Sequence, residues 1–413
     1  MKKLIFSLLL FFMCNNVIFA GVGLEARIGN NVFNTLEEAI NMASSTDTIT
    51  LVSNVELEKS LIINKTINID LNGNDILAAE KVFQVSGGSL TLTGKGTIKE
   101  TKPNYGAIMV IGNNVDTEEK YSVVNIESDV ILEGWSGIFI NQNNSKSYGV
   151  HINLAGKINA VNDINGAGGA GIYVNGNIKN QNGYPIVNIL DNASINSTGT
   201  GLYIAGNSSF DIKKAYIKGT QSAIAIKSGN LNIDGATVIC DGLDKTPTEG
   251  YNNGVKASGT AIQIESNNNY AGNIKLDISS GTFKSKNSNV VYEYIDGGNS
   301  SSIYSISVSN GTFISEANKP VLNLTNSFNE IHSGFISGGE YSSDVSSYLK
   351  NGYSITKKNN IYSVLKTSVK IVNNNEVVIK NKTNIILIIL PILLAILIYF
   401  NRLNITKIIK NKF

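Results

Sequence analysis

The chain of 413 residues repeats one short pattern along most of its length. An apolar residue, a polar turn of Gly, Asn, Asp or Ser and a second apolar residue recur, most clearly as ISSGTF from Ile278, VSNGTF from Val308 and ISGGEY from Ile336. Earlier copies begin at Leu92, Ile126, Leu154, Leu190, Ile212 and Ile233. The mean separation is about 30 residues, a period typical of solenoids and propellers.

A second motif follows each copy of the first. It reads GIFI at 137, GIYV at 171, GLYI at 201, AIAI at 223 and AIQI at 261, with later forms VVYE at 290 and VLNL at 321. Each repeat therefore predicts three strands, the first two joined by a tight turn and the third reached through a loop. Propeller blades need longer repeats with four strands, and the fixed frame of leucine-rich repeats is missing.

The unequal spacing of the repeats favours a right-handed parallel β-helix, because insertions can leave such a coil at its loops. One repeat cannot bury its Ile, Val and Leu side chains alone, whereas stacked repeats about 4.8 Å apart pair their backbones and share one core. We predict an all-β solenoid with the β-helix at residues 61–345.

Both ends of the solenoid have predicted covers. Residues 21–60 form an N-terminal cap with the first strands, and a short amphipathic helix is expected at 34–43, where Asn34 or Thr35 is the N-cap residue. Residues 346–365 predict a C-terminal capping hairpin whose turn contains KKNN.

The two termini carry targeting signals. Residues 1–20 have two lysines, an apolar run and a small-residue exit, as in a secretory signal peptide. Residues 384–401 are apolar enough for one transmembrane helix, and the tail at 402–413 is basic, which predicts a cytoplasmic C-terminus. Residues 366–383 would then be a stalk, with the β-helix outside the cell.

Charge and cysteine content argue against a nucleic-acid-binding protein and against a protein stabilised by internal disulfides. Residues 21–401 carry a net charge of about −4, whereas nucleic-acid binding needs concentrated positive charge. Cys14 lies in the predicted signal peptide, which leaves Cys240 alone and predicts no internal disulfide.

The opening TLEEAINMASSTDTITLVSNVELEKSLIINKTINIDLNGNDI and the ending SGGEYSSDVSSYLKNGYSITKKNNIYSVL resemble those of bacterial cell-surface proteins with a pectate-lyase-like, right-handed parallel β-helix. The resemblance covers roughly residues 30–365. It implies the fold and the bacterial surface, but little about activity, since fold does not determine function.

Catalytic residues of the related enzymes are not evident. Pectate lyases that resemble this fold use a calcium-binding acidic cluster and a basic residue, but the two arginines, Arg27 and Arg402, lie outside the predicted coil. His151 and His332 lack a Gly-His-Gly setting, and no Asp-Asp pair occurs for glycoside hydrolysis. We predict no catalytic residue, metal site or cofactor; a lysine base remains an alternative.

Aromatic residues form the one candidate binding site. Alternation along GIFI, GIYV and GLYI directs Phe139, Tyr173 and Tyr203 outward from successive repeats, with Trp135 just before the first of these strands. In register, the rings would form a column that could bind sugar rings. Alternatively, the rings stack on one another as structural reinforcement or lie under a loop, because the next repeats offer Ala225 and Gln263.

The sequence therefore predicts a membrane-anchored extracellular protein for adhesion or for binding glycans or the surface of a host or neighbouring cell. A polysaccharide lyase or glycoside hydrolase is the first alternative, and a passive structural protein of the cell envelope is the second.

Overall fold

A computed structural model describes most of the repeat region and its flanks. The described residues are 23–102, 105–112, 121–141, 149–161, 163–164, 167–176, 184–245, 258–266, 270, 272–295, 303–324, 334–367, 369–371 and 377–379. Strands are numbered below in chain order.

Parallel strands of successive repeats pair with one another in three ladders. The first ladder contains the strand that opens each repeat. Its members are β3 (Thr48–Leu51), β6 (Thr66–Asp70), β9 (Ser89–Thr93), β12 (Ser122–Ile126), β15 (Val150–Leu154), β20 (Ile186–Ile189), β23 (Ser209–Ile212), the first halves of β26 (Gly229–Cys240) and β28 (Ile274–Ser285), and β30 (Ile303–Val308).

The second ladder follows the polar turn. Its members are β4 (Val55–Leu57), β7 (Ile76–Ala78), β10 (Gly96–Glu100), β13 (Val130–Gly134), β16 (Lys157–Ala160), β21 (Ser194–Ser197), β24 (Tyr216–Gly219), the second halves of β26 and β28, β31 (Thr312–Ser315) and β33 (Gly339–Tyr341). Because β26 and β28 run through the turn, the first two ladders belong to one sheet.

The third ladder is a separate sheet of ten strands. They are β5 (Leu61–Ile63), β8 (Phe83–Ser86), β11 (Ile108–Ile111), β14 (Ile138–Ile140), β19 (Ala170–Val174), β22 (Thr200–Ile204), β25 (Ser222–Ile226), β27 (Thr260–Ser266), β29 (Val291–Ile295) and β32 (Leu322–Asn323). The protein is thus all-β with long parallel sheets, compatible with a solenoid-like fold.

The core runs along the inside of all three ladders. Burial alternates along most strands of the first two ladders, whereas several strands of the third ladder are buried on both sides. The predicted inward residues of the third ladder, such as Ile138, Ile172 and Leu202, have no exposed surface. In the second ladder Phe283, Phe313 and Tyr341 stack with centroids 4.7 and 5.0 Å apart. The alternation that predicted the strands therefore also forms the core.

One predicted repeat position is wrong by one residue. Ile189, not Leu190, aligns with Leu154 of the preceding repeat and Ile212 of the next. Leu190 is 39% exposed. The turn after β20 is one residue longer than the pattern assumed, and a shift of one residue moves a strand side chain to the opposite face.

The N-terminal end contains antiparallel strands β1 (Ala26–Ile28) and β2 (Asn31–Phe33) and helix α1 (Leu36–Met42). Thr35 is the N-cap residue: its hydroxyl accepts a hydrogen bond from the Glu38 N–H, and the Glu38 carboxylate accepts one from the Thr35 N–H. Leu36, Ala39 and Ile40 face the core. The predicted helix is therefore confirmed, with Thr35 at its start.

The C-terminal end contains a short 3-10 helix (Ser346–Tyr348) and a hairpin of β34 (Tyr353–Lys358) and β35 (Ile361–Lys366). Asn359 and Asn360 form its turn with φ values of 49° and 62°, as a two-residue hairpin turn requires. The predicted hairpin is confirmed.

Two further strand pairs are short. β17 (Asp163–Ile164) pairs with β18 (Ala167–Gly168), and β36 (Val369–Ile371) pairs with β37 (Val377–Ile379) inside the predicted stalk. The predicted signal peptide at 1–20, membrane helix at 384–401 and basic tail at 402–413 lie outside the described residues. Among the residues that are described, none of the helices has the length and apolar character needed to cross a bilayer.

Candidate functional site

The predicted aromatic column exists on the outer side of the third ladder. Phe139, Tyr173 and Tyr203 align in register through β14, β19 and β22. The rings of Phe139 and Tyr173 stack with centroids 4.8 Å apart, and those of Tyr173 and Tyr203 lie 4.6 Å apart. The ring spacing matches the spacing of stacked strands, so the column is a direct result of the register.

The column is not an open platform. The exposed fraction is 7% for Phe139, 2% for Tyr203 and 6% for Trp135, and Tyr173 is partly buried. The Trp135 ring lies 5.7 Å from that of Tyr173, and Tyr105 contacts Phe139 edge-on at 5.6 Å. The rings pack on each other and on their neighbours, as in the alternative of structural stacking; whether they bind a ligand stays a prediction.

Burial also determines how the column's phenols ionise. Burial raises the pKa of Tyr173 from 10.0 to about 12, and the neighbouring Tyr270 adds to the shift. The pKa of Tyr203 is raised well above its usual value, first by burial and then by the neighbouring Tyr173. Both hydroxyls therefore stay protonated, and can donate hydrogen bonds, to a higher pH than ordinary tyrosines.

A buried carboxylate positions Trp135. Glu100 ends β10 at a position that alternation assigns to the core, and it has no exposed surface. Its two oxygens accept hydrogen bonds from the backbone N–H groups of Tyr105, Gly106 and Trp135 at 3.0–3.1 Å. Sequence reasoning missed Glu100, although an acid at an apolar position of a strand was the available signal.

Where the column ends, a buried ion pair begins. Ala225 and Gln263 continue the outer row in β25 and β27. The Lys227 ammonium lies 2.8 Å from the Glu265 carboxylate, 5.3 Å from the Tyr203 ring centroid and 5.0 Å from that of Tyr270. Sequence reasoning missed this pair because the two residues lie in different repeats.

A group of buried hydroxyls surrounds Gln263. The hydroxyls of Ser222 and Ser258 donate to its side-chain oxygen at 3.0 and 2.6 Å. Within the described part of the chain, the Gln263 side-chain nitrogen has no hydrogen-bond partner. These hydrogen bonds connect β25, β27 and the segment just before β27, and they leave the Gln263 side-chain nitrogen unsatisfied.

The first ladder has a different outer row, here called the amide ladder. In nine consecutive repeats a short polar residue stands between two apolar residues of the strand and faces outward. These residues are Asn68, Thr91, Asn125, Asn153, Asn188, Asp211, Asn232, Asp277 and Ser307. All nine are partly exposed.

Side-chain hydrogen bonds connect the middle of the amide ladder. Asn125 donates to Thr91 at 3.1 Å, and Asn153 donates to Asn125 and Asn188 to Asn153 at 2.8 Å each. An amide nitrogen has two N–H groups and an amide oxygen two lone pairs, so each amide retains capacity for a ligand or water. The signal in the sequence was the repeated triplet VNI, INL, VNI, LNI at the centre of these strands.

Positive charges accompany the two acids of the amide ladder. Lys213 lies 3.4 Å from Asp211, and Lys275 lies 2.9 Å from Asp277. Next to the ladder, the His151 ring nitrogen lies 3.2 Å from the Asn188 side-chain nitrogen. The row is thus rich in uncharged donors and acceptors, and its acids are paired.

Cys240 is buried, and the acids nearest to it in the described part of the chain, Asp241 and Asp244, are ion-paired. Burial raises the pKa of the Cys240 thiol to about 12. Asp241 pairs with Lys218 and Asp244 pairs with Lys319, while Glu249 and His332 lie outside the described residues. The described side chains contain no group of three or more His, Cys, Asp or Glu residues that could hold a metal ion.

Comparison of the chain with protein-family models, with curated proteins and with solved structures gave no match.

Proposed function

We propose that this chain is a right-handed parallel β-helix of the pectate-lyase-like kind, anchored by its C-terminal segment and displayed outside the cell for adhesion. In this proposal the β-helix binds glycans on a host or neighbouring surface. The apolar C-terminal segment, its basic tail and the N-terminal leader support the orientation.

The amide ladder is the observation that carries the binding role. Asn and Asp are depleted in strands, yet they occupy seven of the nine outer positions of this row. Residues that contradict local propensity over many repeats are expected where function requires them. A straight row of donors and acceptors, one set per repeat, complements the hydroxyl groups of an extended sugar chain.

The outer row of the second ladder provides a contrast. At matching positions it has Lys99, Glu133, Asn159, Asn196, Lys218 and Ile239, so its two amides stand among charged and apolar residues. Lys99 and Glu133 form an ion pair at 2.5 Å. The neutral, short side chains of the amide ladder are therefore not a general property of the surface.

Retention of the full-length chain on immobilised glycans tests the proposal. The ladder variant changes Asn125, Asn153 and Asn188 to Val, and the control variant changes Asn159 and Asn196 to Val in the second ladder. We expect the ladder variant to lose retention and the control to keep it, with unchanged circular dichroism in both, because Val suits strands better than Asn does.

Other results of this experiment would favour a different binding site or one of the alternative functions. Equal retention by both variants would move the site away from the amide ladder, and a loss confined to Tyr173→Phe would place it at the aromatic column. Calcium-dependent release of unsaturated sugars would select the lyase alternative. Absence of both retention and turnover on every glycan would select the passive structural role.

The proposed orientation has its own test. Protease added to intact cells should remove residues 21–383 and leave a small C-terminal fragment. A full-length chain that survives this treatment, while a surface control protein is cleaved, would contradict the orientation.

A further inference from the structure

The ion pair of Lys227 and Glu265 joins two adjacent repeats. Lys227 follows β25 directly, and Glu265 lies in β27; Ile226 and Ile264, the residues before them, are register partners. The ammonium nitrogen lies 2.8 Å from a carboxylate oxygen, and the exposed fractions of the two side chains are 3% and 0%. A lysine and a glutamate are therefore held in contact, away from solvent, by the register of the third ladder.

Two aromatic rings lie beside the Lys227 ammonium. The Lys227 nitrogen lies over the rings of Tyr203 and Tyr270, and the Tyr270 hydroxyl is 3.5 Å from it. Charged groups lose much of their hydration in such a place, and a buried ion pair often contributes little net stability for this reason. Removing both charges while keeping the side chains joined would avoid that cost.

We propose that Lys227 and Glu265 form a side-chain amide bond that covalently links the two repeats. In this reaction a proton passes from the ammonium to the carboxylate, and the neutral amine attacks the carboxyl carbon. The new bond joins the Lys227 nitrogen to that carbon. The carbon–hydroxyl bond breaks, the amine gives up one proton to the departing hydroxyl, and one water molecule leaves.

The reaction needs no oxidant, reductant or other reactant. Groups fixed in contact react with effective molarities of about 10⁵–10⁸ M, which replaces the activation that free carboxylates require. The Tyr270 hydroxyl lies 3.5 Å from the Lys227 nitrogen, where it can accept the proton that the amine gives up. Water released from a buried site enters bulk solvent, which favours the amide.

A second ion pair in the same region is a matched control. Lys218 and Asp241 are 2.7 Å apart; Lys218 lies in β24, and Asp241 directly follows β26 of the next repeat. Their side chains are 35% and 34% exposed. Because they remain hydrated, we expect no amide there, so the comparison isolates the effect of burial at nearly equal distance.

Mass spectrometry of the purified full-length protein tests the proposal. After denaturation and digestion, we expect one peptide from around Lys227 joined to one from around Glu265, lighter than their sum by one water molecule. Glu265→Gln should give the same link with loss of ammonia from its amide. Lys227→Arg and Glu265→Ala should abolish it, and Tyr270→Phe should slow its formation.

The wild-type digest is decisive even if a variant fails to fold. Two separate, unmodified peptides carrying Lys227 and Glu265 would overturn the proposal, as would an equal yield of a link between Lys218 and Asp241. Neither result bears on glycan retention, so the two proposals fail independently.

Discussion

The aromatic column and the amide ladder are both outer rows of parallel strands, with one residue per repeat, yet they differ in exposure. In the column, Phe139 and Tyr203 are almost fully buried by their neighbours. In the ladder, Asn125, Asn153 and Asn188 are partly exposed. Alternation thus determines which side of a strand a residue occupies, but the side chains and segments that pack over it determine whether solvent reaches it.

The two rows are also stabilised differently. Column residues interact through ring contacts over large areas, with centroids 4.6–4.8 Å apart. Ladder residues interact through single hydrogen bonds of 2.8–3.1 Å whose groups would otherwise bind water. The aromatic column should therefore contribute more to the free energy of unfolding, and the amide ladder should have more hydrogen-bonding groups available for a ligand.

The largest expected effect follows from truncation in the column. Tyr203→Ala removes a ring that is 2% exposed, and we expect a loss of about 3–5 kcal/mol because a cavity remains. Urea unfolding of the full-length protein, followed by circular dichroism, measures the change. A loss below about 1 kcal/mol, typical of surface substitutions, would mean that the column is not a structural element.

High pH should weaken the column selectively. Because burial raises the pKa of Tyr173 from 10.0 to about 12, its stabilising effect is complete below pH 10 and is lost as the pH rises through 12. The loss amounts to roughly 2–3 kcal/mol. The midpoint of urea unfolding should fall less steeply with pH across this range in Tyr173→Phe than in the wild type. Identical pH profiles of the two proteins would show that ionisation of Tyr173 does not cause the loss of stability.

The smallest expected effect comes from the ladder. Asn153→Val removes one hydrogen bond in each direction, which costs about 0.5–1.5 kcal/mol per bond, but the higher strand propensity of Val opposes the loss. We expect a net change within about 1 kcal/mol in the same unfolding experiment. Asn159→Val in the second ladder is the control, and a much larger loss at Asn153 alone would make the ladder a structural element.

Much of the architecture could be predicted from the sequence because it depends on local rules. The spacing of Ile278, Val308 and Ile336 identified strands that stack in register, and the alternation in GIFI, GIYV and GLYI identified the buried residues. Thr35 at the start of α1 and the Asn359–Asn360 turn follow from capping and turn chemistry. Each of these features involves residues close together in the chain.

Other features depend on which repeats become neighbours. The prediction that Leu190 occupies the repeat position was wrong because the turn after β20 is one residue longer. The sequence still shows two apolar residues around a polar turn, but Leu190 faces the side of the strand opposite to Ile189. Glu100 was missed because its partners, the backbone N–H groups of Tyr105, Gly106 and Trp135, belong to a loop and to the next repeat. Local patterns contain no information about such contacts.

The sequence by itself determined the repeat, the direction of most strand side chains and the alignment of Phe139, Tyr173 and Tyr203. Only the tertiary structure decided that these rings are buried and that Lys227 meets Glu265. The physical reason is that alternation acts within one strand, whereas burial and charge pairing depend on side chains from adjacent repeats, whose separation along the chain varies with the length of the intervening loops.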